Sequence, residues 1–281
     1  MAFLTVGDVR LHHEAVGEGP PIVFAHESAA DARQWAAQVR ALSPDHRCIT
    51  YDARGYPPSD VPLDDAAYGH VAAWQDLAAI VERVAGGPAH IVGLSMGAYA
   101  GLMLGLNRPD LVRSLILAGC GTGSTRTPDD RLHNAMTALA RTFTEEGSAA
   151  GAAQIALPSN RTGFRRRDPA GWQVWYDDLL THSADGMALT FRNYQGNRPS
   201  LHAFEAALTQ LHKPVLLAVG DEDEGCLEVN GFLRDTLPDA ELWIVPESGH
   251  AVNLEAADPF NRRVRAFMAA VEAKSQVSAR L

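Results

Sequence analysis

Cysteine is scarce in this chain: Cys48, Cys120 and Cys226 are three in 281 residues, odd in number and widely spaced. That argues against a disulfide framework and suits reduced thiols in a core. No Cys or His pair has the spacing of metal ligands, and neither a metal nor another cofactor is expected. Long hydrophobic runs are absent too. No stretch approaches the roughly 20 apolar residues that span a bilayer, and residues 1–8 lack the basic and long apolar regions of a signal peptide. The expected location is the cytoplasm, with no membrane partner. Positive charge is in deficit, Lys+Arg 24 against Asp+Glu 34 for a formal net charge of -10. Such a surface repels nucleic-acid phosphates and anionic headgroups, so nucleic acid is discarded as a partner.

What is present suits a core. At 46% hydrophobic and 21% charged, the chain is ample for one large α/β domain, or for a core domain with an insertion. Residues 3–6 and 10–16 read as strands separated by Gly7-Asp8, which makes an antiparallel hairpin. The run Ile22-Val23-Phe24-Ala25 lies in a strand at 21–26. It ends in the small-residue loop His26-Glu27-Ser28-Ala29-Ala30, ahead of a helix from about 31 to 42. A strand at 47–51 leads into a Pro- and Gly-rich loop, 52–60, in which Asp52 and Arg54 are expected to pair as a structural brace. The helix expected from about 70 to 84 carries Val71, Trp74, Leu77, Ala78 and Val81 on one face. Strands at 90–94, 114–118, 215–219 and 241–245 alternate with helices, the last of them from about 257 to 271. That alternation means parallel pairing in a doubly wound sheet.

The rhythm stops at residues 119–123 and resumes at Pro214. The chain therefore divides into a core, 1–123 and 214–281, and an insertion, 124–213. An insertion of that size must pack as its own layer, and the place left for it is over the carboxyl edge of the sheet, as a helical lid. Its Arg165-Arg166-Arg167 run reads as a solvated helix face. Trp172 and Trp175 read as lid core before pocket wall.

Gly93-Leu94-Ser95-Met96-Gly97 falls where a buried strand turns sharply into an Ala/Leu/Met-rich helix. Glycines on both sides of Ser95 let neighbouring backbones approach. A serine hydroxyl is a weak nucleophile and must be presented to a base on one side and a carbonyl on the other. The first helical N–H, that of Met96, points at the place where an oxyanion would develop. Read alone, the pattern is also that of a plain flexible turn. Two further loops change its weight. The acids Asp221 to Glu224 follow one strand and Gly249-His250 follows the last. With Ser95 they lie past the carboxyl ends of strands in one parallel sheet, hence on one edge. The order Ser, Asp, His is a known permutation of nucleophile, orienting acid and base.

With these residues the sequence resembles the α/β-hydrolase family, in its serine-nucleophile esterase and lactonase branch with a helical cap. The resemblance covers nearly the whole chain. It rests on Phe24-Ala25-His26, Asp52-Ala53-Arg54-Gly55, the Gly93 to Gly97 pattern, Gly220-Asp221-Glu222-Asp223 and Gly249-His250, in that order. It implies an eight-stranded, mostly parallel, doubly wound sheet with the cap inserted after the sixth strand. It further implies Ser95 as nucleophile, His250 as general base and then general acid, and Asp223 as orienting acid, three residues after a glycine like Gly220. Asp221 remains its competitor. The oxyanion donors would be the backbone N–H groups of Met96 and, from position, Ser28. Two departures stand out. His26-Glu27 replaces the family's usual His-Gly, so Glu27 either narrows the oxyanion site or sets an acid beside it. Pro57-Pro58 replaces a more usual glycine and reads as stiffening.

Serine rather than aspartate at the turn excludes the alkyl-ester chemistry of haloalkane dehalogenases and epoxide hydrolases. The leading expectation is hydrolysis of a small to medium carboxylic ester or lactone through an acyl-enzyme. His26, Glu27, Trp172, Trp175 and Arg192 are the candidate substrate contacts. One rival is a carbon–carbon bond hydrolase of a diketone acid with the same triad. It would need a cationic cap residue, for which Arg161, Arg165 and Arg192 are the candidates. The other is a non-catalytic small-molecule receptor on the same fold. A homodimer is left open.

Overall fold

The apolar runs pair into one sheet in the computed structural model, which describes residues 1–127 and 130–278. Its strands are β1 (Ala2–Val6), β2 (Val9–Val16), β3 (Pro21–Ala25), β4 (Arg47–Tyr51), β5 (Ala89–Leu94), β6 (Val112–Ala118), β7 (Val215–Gly220) and β8 (Ala240–Val245). The spatial order is β1-β2-β4-β3-β5-β6-β7-β8. β2 is antiparallel to both β1 and β4, and every other neighbouring pair is parallel. This is the expected mostly parallel sheet with an N-terminal hairpin. All six residues of β5 and all six of β7 are buried, as parallel strands covered on both faces require. Each fully buried Val, Leu or Ile contributes about 1.5–3 kcal/mol.

The helices of the amino-terminal half are α1 (Ala36–Leu42), α2 (His70–Ile80) and α3 (Met96–Asn107). Between β6 and β7 the chain runs through α4 (Arg131–Glu146), α5 (Ser148–Ala156), α6 (Ser159–Arg167), α7 (Pro169–Leu180), α8 (Ala184–Leu189) and α9 (Glu205–Leu208). It closes with α10 (Glu224–Thr236), α11 (Val252–Glu255) and α12 (Ala257–Ser278). Leu42 of α1 packs with Phe260, Val264 and Met268 of α12 on one face of the sheet, whereas Leu77 of α2 and Leu102 of α3 pack on the other. The chain thus leaves β3 toward one face and its neighbour β5 toward the opposite face. The order of strands reverses there, and a crevice opens beyond their carboxyl ends. The core on the α2 and α3 face runs on without a break into the inserted helices, where it takes in Leu139, Phe143, Trp175 and Leu179.

Two local expectations are corrected. Asp52 and Arg54 do not pair. Asp52 Oδ2 meets His12 Nδ1 at 2.7 Å and its Oδ1 accepts from Ala32 N at 2.8 Å, while Arg54 forks onto Asp76 with two 2.7 Å bonds. The chain leaves the sheet at this point, so each charge finds a buried partner in a different layer, as a buried charge must. On α2, Leu77, Ala78 and Ile80 are buried, as is Val81 just beyond its end, but Val71 is exposed. The carboxyl half of the helix is fully covered, while Ala73 and Trp74 of the amino half are only partly buried against the same core. Among the described residues no helix is long and apolar enough to cross a membrane.

Candidate active site

β5 delivers Ser95 into a turn with φ 52 and ψ -107. A non-glycine residue at positive φ costs about 1–3 kcal/mol and persists only where its surroundings fix it. Here Ser95 N donates to Ala118 O at 2.8 Å and Ser95 O accepts from Tyr99 N at 2.9 Å. A Cβ on Gly97 would lie 2.1 Å from Ala25 O and one on Gly93 would lie 2.5 Å from Ala98 N, so both flanking glycines are steric requirements. Met96 opens α3, and its N–H is one of the first-turn donors that no intrahelical carbonyl satisfies. Tyr194 OH donates to Met96 O at 3.0 Å, and Tyr56 OH donates to Ser28 O at 2.9 Å.

The other two residues arrive on touching loops. A Cβ on Gly220 would sit 2.1 Å from Ser248 O, so the loops after β7 and β8 are in backbone contact. His250 Nδ1 lies 2.6 Å from Asp223 Oδ2. Asp221 does not reach the histidine. Its Oδ1 accepts from Ser248 N at 3.1 Å and braces the loop. Burial disfavours the charged forms of both His250 and Asp223, but their mutual charge attraction and hydrogen bond prevail. His250 is held well above its ordinary pKa and Asp223 well below the usual carboxylate range. Cys226 Sγ lies 3.9 Å from His250 Nδ1, and burial pushes its pKa up, which keeps it a thiol. Asp223, Cys226 and His250 are the one trio of His, Cys, Asp or Glu ligand atoms close enough to hold a metal among the described residues. The 2.6 Å contact between two of them is tighter than the more than ~3 Å that bonds of about 2.0 Å in tetrahedral geometry impose.

Ser95, His250, Ser28 and Glu27 line one cavity of about 360 Å³. Leu139, Phe191, Gln195, Arg161, Arg198 and Asn160, all from the segment between β6 and β7, line it as well. Ser95 and His250 share this space, but among the described residues no hydrogen bond links Ser95 Oγ to the imidazole; such bonds often tighten only once substrate is bound.

The remaining sequence candidates divide. Glu27 is at the cavity but is 1% exposed, its carboxylate forked by Arg161 of α6 through Nη1 at 3.0 Å and through Nη2. Burial works against ionisation of Glu27, yet Arg161 keeps it ionised below its ordinary pKa. His26 is not brought to the cavity. It lies behind the turn, its Nδ1 2.7 Å from Glu27 O and its Nε2 accepting from Ala53 N at 2.9 Å, a neutral ring whose pKa burial lowers. Trp172 and Trp175 are inside the inserted layer. Trp172 stacks on Tyr176, and Arg161 lies over the Trp175 ring. Arg165 sits over Trp172, and Arg192 pairs with Asp65 at the surface. None of these four lines the cavity that contains Ser95.

Among the residues at the site that escaped the sequence reading, two carry polar groups that matter to its chemistry. Asn160 Nδ2 donates to Asp223 Oδ1 at 3.1 Å, and Arg198, 9% exposed, lines the cavity beside Tyr99. Neither sits in a pattern or beside a punctuating glycine, so nothing local marked them.

A model of the alpha/beta hydrolase fold matches residues 20–257. The chain belongs to the α/β-hydrolase fold family. It is an enzyme of that class, a hydrolase. It is similar to a protein of Variovorax paradoxus (strain S110) named "Putative carbamate hydrolase RutD", 29% identical with 94% of this chain and 97% of the relative covered. Solved structures of a thermophilic esterase from Thermogutta terrifontis and of the enol-lactonase from Burkholderia xenovorans LB400 superpose with TM-scores of 0.85 and 0.83. Each is 23% identical, and the match covers 95% of this chain in both cases, 96% of the esterase and 100% of the enol-lactonase. At that identity they establish the fold.

Proposed function

We propose that this hydrolase cleaves a small to medium carboxylic ester or lactone through an acyl-enzyme on Ser95. The observation that carries the reading is the 2.6 Å contact of His250 Nδ1 with Asp223 Oδ2 at the cavity that also exposes the strained Ser95. Asp223 fixes the imidazole with Nδ1 protonated, which leaves Nε2 as the base. Ser95 Oγ attacks the carbonyl carbon as Nε2 takes its proton. The oxyanion is met by the N–H groups of Met96 and Ser28. Collapse expels the alkoxide, which leaves with the proton from Nε2. Water, deprotonated by His250, then attacks the acyl-enzyme and releases the acid. The inserted helices act as a cap that limits substrate size and excludes water. The enol-lactonase and esterase likenesses agree with this chemistry.

A second reading, carbon–carbon bond cleavage in a diketone acid, is favoured by Arg198 alone. Its guanidinium makes one hydrogen bond, from Nη2 to Thr122 O at 2.5 Å, and among the described residues it has no carboxylate partner. Arg161, by contrast, is neutralised by Glu27. A buried cation without a counterion suits a substrate carboxylate.

Fluorophosphonate labelling with peptide mapping tests the first reading. A single adduct on Ser95 that is lost in His250→Ala is expected, and Ser95→Ala should lose at least about 10³-fold in turnover. No adduct on folded protein would defeat it. A panel of neutral esters, acid-bearing esters and a vinylogous diketone acid separates the two chemistries, with Arg198→Met expected to impair only the acid-bearing substrates.

A further inference from the structure

We infer that Asn160 is a positioning residue for both the acid and the base, so that the site is fully assembled only when helix α6 of the insertion is seated. The inference concerns the regulation of the site described above, and only its kinetic arm rests on the serine-hydrolase reading.

Asp223 is buried, and its two carboxylate oxygens need separate donors. Oδ2 faces His250 Nδ1 at 2.6 Å, and Oδ1 accepts from Asn160 Nδ2 at 3.1 Å. No backbone N–H reaches either oxygen among the described residues. The second anchor of the triad acid therefore comes from a different layer of the molecule. Without it the carboxylate keeps only the imidazole and the weak thiol donor of Cys226, and its rotation about the Cβ–Cγ bond is less restrained. The backbone of the same residue holds the base. His250 N donates to Asn160 O at 3.1 Å, and a Cβ on Gly249 would come within 2.1 Å of that oxygen. The glycine before the histidine is thus what allows the insertion to close on the loop.

The rest of α6 repeats the pattern. Arg161, the next residue, forks Glu27 beside the proposed oxyanion donor Ser28. Arg167 lies seven residues from Asn160, two turns along the same face. It donates to Glu222 Oε1 at 2.7 Å and to Glu255 Oε2 at 2.8 Å. Glu255 in turn accepts from Gly249 N at 3.0 Å and Ala251 N at 3.2 Å, the two residues that flank His250. One helix therefore holds the acid, the base loop and the oxyanion loop. A helix that merely packed would not reach both residues of the His–Asp pair from one position.

Among the described residues the ionisable groups around His250 are Asp223 and Cys226 on the β7–α10 side, Glu27 with its partner Arg161 across the cavity, and Glu255 of α11 against the backbone on either side of it. Asn160→Asp keeps shape and volume but sets a second carboxylate against Asp223, which favours the imidazolium. Asn160→Ala removes the donor. Three readouts are compared with wild type: the His250 imidazole titration and its low-field Nδ1–H resonance, both by NMR; kcat and KM for an aryl ester; and thermal unfolding. Asn160→Asp is expected to raise the His250 midpoint by at least half a pH unit. Asn160→Ala is expected to shift and broaden the Nδ1–H resonance and to lower kcat about tenfold or more with KM within about threefold, as misplacement of a catalytic group does. Loss of thermal stability alone, with both His250 signals and kcat unchanged in both variants, would overturn the inference. If the wild-type protein neither hydrolyses esters nor takes fluorophosphonate, the serine-hydrolase reading falls, and the NMR readouts still decide the role of Asn160.

Discussion

Glu27 and Arg161 stand 134 residues apart in sequence and are 1% and 4% exposed in the fold. Removing one partner of a buried pair strands the other charge, which typically costs about 3–5 kcal/mol, whereas replacing both with neutral groups costs much less. Urea unfolding of Glu27→Gln, Arg161→Met and the double variant is expected to show this non-additivity, the double variant being more stable than either single one. Gly249→Ala belongs to the same scale. Its methyl group would displace Asn160 O, and a loss of about 10²-fold in kcat is expected from a shift of about 1 Å at the base loop. Ser95 and His250 were legible because glycines punctuate the turns that carry them. Asp223 was preferred to Asp221 only through the family pattern. Glu27 was visible as a departure from that pattern, but its pairing with Arg161 was not, because the arginines of the insertion were read only as candidates for a substrate carboxylate and the ion pair follows from packing across 134 residues.

At the scale of elements, the strands were legible to within a residue or two: the central ones because a continuous apolar run buried on both faces leaves little else it can be, and the half-exposed hairpin of β1 and β2 because Gly7-Asp8 marks its turn. Helix α2 was found but its face was misread at Val71. A 3.6-residue period describes what is able to face a core, not how far along the helix the core extends. The insertion resisted most, because the positions of α6 and of the turn that carries Arg198 follow from long-range contacts. α6 is tied at its far end by Arg167, whose pair with the part-exposed Glu222 contributes about 0–1 kcal/mol, while its other partner, the buried Glu255, keeps the backbone donors Gly249 N and Ala251 N when Arg167 is removed. Arg167→Ala is therefore expected to leave the melting temperature within a few degrees of wild type while amide exchange across residues 159–167 speeds up severalfold. Unchanged exchange would mean that the helix is held without Arg167, by Asn160, Arg161 and the buried Phe164.

For the whole molecule, acid is the expected weakness. Burial, with Arg113 and His46 adding to it, pushes the His90 pKa down to about 3, against about 6.5 unfolded. Between those values the unfolded chain binds a proton that the folded chain refuses, so stability falls as the pH drops through that window. Asp31, whose burial is outweighed by hydrogen bonds from His182 and Arg33, and Asp223 are both held well below the carboxylate range. Their contributions are complete above about pH 4 and are lost below it. The raised His250 acts oppositely, and its contribution is lost as the pH rises through its folded-state value. Thermal unfolding between pH 4.5 and 7 is expected to show a falling melting temperature toward acid, with a shallower slope in His90→Gln. Activity is expected to rise with pH through a midpoint above about 6.5, where His250 becomes free to accept a proton. The core that passes from the sheet into the inserted helices bears on how such enzymes diversify. The sheet and the inserted helices share one set of packed side chains, so the insertion is not an interchangeable module. A chimera that took another member's insertion would inherit a mismatched seam, and a new specificity would have to arise together with compensating changes beneath it.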